Sequence, residues 1–391
     1  MSAAIWLPFE QPGPVDVAPV LSALQAEGAV HRVHTAVGDE AWLITSYPLV
    51  RDLLADERLG RSHPVPETAA RTGESALFGG PMGDFDTEHA DHARMRALLQ
   101  PLFTPKRMRA LDSRVETLTT ELLDKFADRP HPADLVAAVA VPLPILVICE
   151  LLGVPYADRD RFRSWTRAAA DIRERARSER GLADLFGYGK DLVARKRADP
   201  GDDVISRLCE ADGVSDDEIA ALSMSLLFAG HETTVVHIGL GALLLLTNPD
   251  QRNAVLEDHH LVGSAVEEML RAPGKTGGGI PRYARADFEI GGVTIHAGEL
   301  VLLDTSAGNH DPADFPNPDR FDVTRRDAPH LTFGHGLRYC IGAPLARMEL
   351  RAVFSQLIPR FPDIRLAVPV HDLRTHRNTL TGGLTALPVR W

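Results

Sequence analysis

The chain has 391 residues, 44% of them hydrophobic and 25% charged, a globular composition unlike that of disordered or collagen-like chains. Acidic residues outnumber basic ones, 54 to 42, for a formal charge of -12, which excludes an extended basic footprint for nucleic acid. Three cysteines, Cys149, Cys209 and Cys340, cannot build a disulfide framework, and they fit a reducing cytoplasm.

In chain order, the first ten residues carry neither a basic segment nor a sustained apolar run, so no signal peptide is expected. A short strand is expected at 41–44. Residues 60–92, rich in Gly, Pro, Ser and Thr, form a loop of a length that is uncommon and usually functional. Apolar residues at three- and four-residue spacing predict helices at 109–126, 143–152, 158–197, 215–247 and 249–271. The apolar stretch 135–149 contains Pro142 and Pro144 and is too short to span a bilayer, so it is expected to be buried structure. Asp216 and Asp217 mark the start of the fourth helix and Asn248-Pro249 its end, which makes it about thirty residues long. Strands follow at 288–290, 293–295, 300–303 and near the C-terminus. A second long loop, 309–336, holds Pro312, Pro316, Pro318 and Pro329, and a helix is predicted at 344–356. No repeat, low-complexity tract or linker divides the chain, so the expectation is a mainly α fold with small β-sheets, residues 1–391 forming one domain without a membrane span.

The segment Phe333-Gly334-His335-Gly336-Leu337-Arg338-Tyr339-Cys340-Ile341-Gly342 carries the most chemistry, because it sets a cysteine at the mouth of a helix. A helix N-terminus favours the thiolate, the form that ligates metal. Gly334, Gly336 and Gly342 permit positive φ angles and close approach of the backbone to a flat cofactor. Arg338 is suited to a forked contact with a carboxylate on the cofactor's edge. Cys149 and Cys209 have no such neighbours and read as small buried apolar residues.

This segment resembles the haem-binding loop of the cytochrome P450 family, F-x-x-G-x-[HR]-x-C-x-G, at every specified position. Other landmarks of the family follow in its order. Glu268 and Arg271 resemble its E-x-x-R pair, with Arg320 as the distant third partner of a buried ion network. His92, Arg96 and Arg282 resemble the residues that, with Arg338, hold the haem carboxylates. Ala229-Gly230-His231-Glu232-Thr233-Thr234 is similar to the oxygen-activation motif, in which Ala229 and Gly230 leave room for dioxygen. Glu232 would relay protons there, and Thr233 would hold reduced dioxygen and a water by hydrogen bonds. His231-Glu232 is not the start of a zinc-protease motif, since Val235 stands where H-E-x-x-H needs its second histidine. Gly274-Lys275-Thr276 is not the end of a phosphate loop, since Met269 replaces the required glycine.

The resemblance covers nearly the whole chain, with the soluble bacterial branch nearest in length. It implies the P450 fold, with haem b lying between the long helix and the cysteine helix. Cys340 would be the iron ligand, and Phe333, Gly334, Gly342 and the cations would form the haem site. The implied activity is insertion of one oxygen atom from dioxygen into an apolar small molecule, such as a polyketide, macrolide, terpenoid or peptide scaffold. Electrons would come from a ferredoxin-type partner, because no flavin or iron–sulfur signature is present, and Lys106, Arg107, Arg109, Arg347 and Arg351 form a candidate basic patch for that partner. Substrate contacts are expected from residues 60–91, Ser225, Ala229, residues 275–280 including Gly278 and Ile280, and the turn 380–384 including Thr381. The alternatives are a peroxygenase or radical-coupling oxidase on the same scaffold, and a haem sensor or carrier without turnover.

Overall fold

Residues 4–274, 278–326, 329–376 and 379–391 are described by a computed structural model. Helix α1 (Pro19–Glu27) precedes the hairpin β1 (Val30–His34) and β2 (Glu40–Ile44), then α2 (Tyr47–Leu54) and β3 (Leu59–Gly60). Next come α3 (Glu88–Leu99), α4 (Pro105–Ala127), β4 (Ala133–Asp134), a π-helical turn (Val136–Ala140) and α5 (Pro142–Leu152). The helical body continues with α6 (Arg159–Ala169), α7 (Arg175–Ala198), α8 (Val204–Cys209), α9 (Asp216–Thr247), α10 (Pro249–Glu257) and α11 (Val262–Arg271). Strands β5 (Ile280–Ala284), β6 (Phe288–Ile290), β7 (Val293–Ile295) and β8 (Leu300–Leu303) lead to α12 (Thr305–Asn309), α13 (Ala343–Arg360), β9 (Arg365–Leu366) and β10 (Pro388–Arg390).

Helix α9 organises this body. The Ser215 hydroxyl caps it by accepting from the Glu218 N–H at 3.2 Å, and Asp216, Asp217 and Glu218 fill its first turn, where negative charge meets the positive end of the helix dipole. It ends where the Asn248 side chain donates to Leu244 O at 2.8 Å, immediately before Pro249. The helix has the length and apolarity of a membrane span. Here, however, α5, α7, α11 and α13 of the same chain pack against it, as expected of a helix that is apolar around most of its circumference.

Five strands form a sheet in the order β1-β2-β8-β5-β3, in which only β2 and β8 run parallel. Alternation along these strands feeds two cores: Leu43, Leu300 and Leu302 face α1, while Ile44, Val301 and Leu303 face α2. The β6–β7 hairpin turns through Gly291 and Gly292, at φ 57° and 80°, the double left-handed conformation that a tight two-residue hairpin requires.

Two predicted helices are broken in the structure. The pattern at 158–197 divides because Asp171 accepts the N–H groups of Arg173 and Glu174 and pairs with Arg177. A side chain that captures the backbone in this way favours a turn over continued helix. The break lets α7 fold back on α6, with Gly181 against Trp165 and Ala169. The pattern at 249–271 divides in the same manner at Asp258, which accepts from the His260 N–H. The loop at 60–92 is shorter than expected, since its last residues already belong to α3.

Close helix contact makes one glycine testable. A Cβ on Gly241 would lie 2.9 Å from Met269 Sδ and 3.0 Å from Phe354, so α9 meets α11 and α13 there with no spare volume. Gly241→Val is expected to destabilise the fold by about 1–3 kcal/mol through overpacking. The midpoint and slope of urea unfolding check this value.

Candidate functional site

The cysteine loop is set by its own backbone. Gly334 and Gly336 adopt φ 73° and 70°, and a Cβ on Gly336 would lie 2.7 Å from Ala55 Cβ of the turn after α2. Gly342 differs from expectation: its φ is -83°, and a Cβ there would sit 3.9 Å from Cys340 Sγ, an ordinary contact. The Cys340 N–H donates to Phe333 O at 2.9 Å, which folds the loop so that the sulfur precedes α13. Cys340 is exposed as a residue. Desolvation by the atoms around it raises the thiol pKa, opposed by the N–H groups of Gly342 and Ala343 and by the charges of Arg96 and Arg347.

Cations crowd beside this loop. Arg96 of α3 donates to Tyr339 O at 3.0 Å. Arg282, on β5, is buried; burial and the charges of Arg61 and Arg338 push it down to about 9. His92, half-buried on α3, is pushed down to about 4 by burial, Arg338 and Arg96. Arg61 was not singled out from the sequence, yet it is lowered by burial and by Arg338. Against these cations stands Glu88 of α3, which receives Arg338 and the N–H groups of Arg61 and Ser62. Burial raises its carboxyl, but these partners and the Ser62 hydroxyl outweigh it and hold it low.

The third component is a face of α9. Ser225, Ala229 and Thr233, each one turn from the next, are exposed on it. Thr233 Oγ1 donates to Ala229 O at 3.0 Å, a back-bond common to mid-helix threonines, and its lone pairs remain free to accept. Glu232 points elsewhere: its carboxylate lies beside His231, Arg163 and Arg167, and the last two belong to α6. Gly230 does not open space on the exposed face, because a Cβ there would meet Ile148 of α5 at 2.5 Å. It is a helix-packing glycine.

Comparison with known proteins accounts for these three parts together. The cytochrome P450 family profile matches residues 190–365. The chain is 45% identical to pentalenolactone synthase of Streptomyces exfoliatus over 98% of both chains. It is 39% identical to the cytochrome P450 monooxygenase PikC of Streptomyces venezuelae, covering 96% of this chain and 91% of that one. Among solved structures it is similar to substrate-free cytochrome P450 PimD, a polyene macrolide antibiotic pimaricin epoxidase, with 41% identity and a TM-score of 0.90 over 100% of both chains.

The chain belongs to the cytochrome P450 family.

As a P450 it is a haem-thiolate monooxygenase, and its residues fit that cofactor. An exposed cysteine stands in a glycine-turned loop before a helix, and the cation cluster has the donors that two carboxylates demand. Burial and the neighbouring positive charges hold Arg282 and His92 below their usual values, so an anion beside them would be favoured.

Support for the P450 cysteine loop comes from a buried ion network. Arg271 forks onto Glu268 at 2.7 and 2.8 Å and donates to Asn309 O and Pro318 O. The third partner is Arg325, not Arg320: Arg325 reaches Glu268 at 3.2 Å and also binds the carbonyls of Pro316, Asn317 and Arg320. Arg320 itself is exposed. The chain turns at Asn317, φ 49°, and again at Asp322–Arg325, which carries Arg320 outward and returns Arg325.

The expected basic patch is also revised. Arg347 is held by Glu267 at 2.8 Å through both Nε and Nη2, donates to the Tyr339 hydroxyl, and lies 4.5 Å over the Phe333 ring. It therefore braces the cysteine loop. Lys106, Arg109 and Arg351 are exposed, while Arg107 is half-buried near Asp202.

Two of the segments expected to meet substrate are tied by main-chain contacts to the turn between α6 and α7, and one of them also packs on α9. Glu74 N donates to Ile172 O at 2.9 Å, and Leu380 N to Ala170 O at 3.1 Å. Asp171 bridges Thr379, and Gly383 packs against Val236 of α9. Thr381 is half-buried in that turn. Gly278 adopts φ 126° in open space and Ile280 begins β5, whereas Lys275, Thr276 and Gly277 lie outside the described residues.

The ion network yields a discriminating pair of variants. Arg325→Ala is expected to cost on the order of 2 kcal/mol, the value of hydrogen bonds to a charged group, and to lower haem retention. Arg320→Ala is expected to stay within about 0.5 kcal/mol, as surface changes do. Urea unfolding and the haem-to-protein ratio measure both.

Proposed function

We propose that this P450 inserts one oxygen atom from dioxygen into a bulky apolar secondary metabolite of polyketide, macrolide, terpenoid or peptide type. In this reading it works in the cytoplasm as one domain, with haem b and no bound flavin or iron–sulfur cluster. The observation that carries the reading is the glycine-turned loop of exposed Cys340 with the cation cluster tied to it through Arg96 and Tyr339 O. The named relatives support the substrate class, through a pentalenolactone synthase and a polyene macrolide epoxidase.

Cys340 would ligate the iron beside Phe333, Gly334 and Gly342. Arg96, Arg282 and Arg338 would hold the haem carboxylates as cations and His92 as a neutral N–H donor, with Arg61 as an unforeseen further cation. Bound haem supplies dioxygen cleavage, helped by electron density from the thiolate. The protein then has three tasks: to orient substrate, to exclude water, and to deliver protons. Ser225, Ala229, Ile280 and Thr381 would line the substrate's position, with the left-handed backbone at Gly278 shaping the segment before Ile280. Glu232 would bring protons from the side of α6, a positioned acid of the kind that contributes about 10²- to 10⁴-fold. Thr233, with its own hydrogen committed to Ala229 O, would accept a hydrogen bond and thereby fix the donor that protonates reduced dioxygen.

Electrons would arrive from a ferredoxin-type protein at the end where α4 and α13 begin. The two helices run side by side in the same direction, with Gln356 against Glu116 and Thr120 and Arg360 against Asp124. That register sets exposed Lys106 and Arg109 at the same end as the cysteine loop, with exposed Arg351 midway along α13, and these replace Arg347 as the cationic candidates.

Two variants test the assignment. Cys340→Ser is expected to abolish the red-shifted Soret band of the reduced, CO-bound haem, and survival of that band would remove Cys340 as ligand. Thr233→Ala is expected to keep haem content, substrate-induced spin shift and electron uptake, yet to divert reducing equivalents to hydrogen peroxide. Product matching the reductant consumed would show that Thr233 has no part in oxygen activation.

A further inference from the structure

His231 is buried, 1% exposed, midway along α9, and neither motif it was compared with gives it a task. Its Nδ1 lies 2.6 Å from Leu227 O, one turn back. A carbonyl only accepts, so Nδ1 carries the hydrogen. Its Nε2 faces Glu232 Oε1 at 3.3 Å and has no well-aligned hydrogen-bond partner among the described residues. With Nδ1 protonated, a neutral ring would aim a lone pair at a carboxylate in a site where His231 meets no water. One proton placed between Nε2 and Glu232 removes that repulsion.

The surroundings give this proton one way out. From α6, Phe162 stands edge-on to the His231 ring at 5.8 Å, and Arg163 and Arg167 face Glu232. From α5, Ile148 covers the neighbouring Gly230, and α7 meets α9 at Gly189, against Ala220 and Met224. Arg163 and Arg167 are thus the charged groups that act on Glu232 from a packed neighbour. Glu232 is 19% exposed against 1% for His231, so exchange with solvent passes through the carboxylate. Thr233, on the exposed face, is the next residue.

We infer that His231 is a proton-holding partner of Glu232, storing one proton at Nε2 beside the carboxylate and acting on the reaction only through it. This rests on the reading of Glu232 as the proton carrier. At rest the pair is imidazolium and carboxylate. On demand the Nε2–H bond breaks as the Glu232 O–H bond forms, leaving a neutral ring that keeps its Nδ1–H bond to Leu227. Glu232 then releases that proton towards the Thr233 side, and one proton from solvent, entering by the carboxylate, restores the pair. No electron is moved in the exchange.

The resting pair is tested without turnover, by ¹⁵N spectra of histidine-labelled, diamagnetic ferrous-carbonyl enzyme, with the His231 signals assigned by their loss in His231→Gln. At neutral pH both ring nitrogens are expected to be protonated, and Glu232→Gln is expected to convert the ring to the neutral form with hydrogen on Nδ1. A neutral His231 in the wild-type protein beside an ionised Glu232 overturns the inference. In turnover, His231→Gln is expected to leave spin shift and first-electron uptake unchanged. It should slow the proton-dependent step about 10-fold, below a full acid's contribution, with a larger solvent isotope effect and a changed pH profile. If His231→Gln matches wild type in rate, isotope effect and coupling while Glu232→Gln uncouples, the role of His231 falls and that of Glu232 stands. If both variants match wild type, the reading of Glu232 falls with it.

Discussion

A carboxylate with almost no water around it has to be answered by donors, and Glu268 is answered from three directions. Arg271 forks onto it from its own helix, Arg325 reaches it from the long segment before the cysteine loop, and the Asp322 N–H completes the set. Burying a charge is costly unless every partner is in place, so the segment has a single arrangement in which Glu268 is satisfied. That arrangement propagates. Arg271 also grips Asn309 O, the Asn309 side chain binds Leu331 and Thr332, and the next residue is Phe333, whose carbonyl receives the Cys340 N–H. The sulfur thus owes its position to an ion pair on a different helix.

Charge is distributed differently at the edge of the site. There the imbalance runs towards cations, with Glu88 as their buried counter-charge. Such a cluster suits further anions, and haem carries two carboxylates. Glu88 also links the cluster to the segment after β3 through the N–H groups of Arg61 and Ser62, so the two share one carboxylate.

Local signals were legible in the sequence and distant ones were not. The cysteine loop, the cap and exit of α9, and the strands at 288–290, 293–295 and 300–303 announce themselves within ten residues, because turn glycines, capping acids and alternation act over that range. The residues at fault were those whose meaning depends on a partner far along the chain. Arg320 and Arg325 lie five residues apart in the same kind of segment, and only the turns at Asn317 and Asp322 decide which one points inward. Gly230 sits in an oxygen-activation motif yet owes its size to Ile148, 82 positions earlier in the numbering. Glu88 and Arg61 carry no local mark at all. Asp171 and Asp258 were misses that local chemistry could have found, since an aspartate able to take a following N–H group is a turn former.

The turn between α6 and α7 is tied to two distant loops by the main chain: Glu74 to Ile172, Leu380 to Ala170, and the bridge between Asp171 and Thr379. Backbone hydrogen bonds of this kind are indifferent to which side chains hang from them, save for proline. The way these loops are joined is therefore uncoupled from the side chains they carry. Mutation can redraw what the loops present, residue by residue, while the frame that joins them is inherited unchanged.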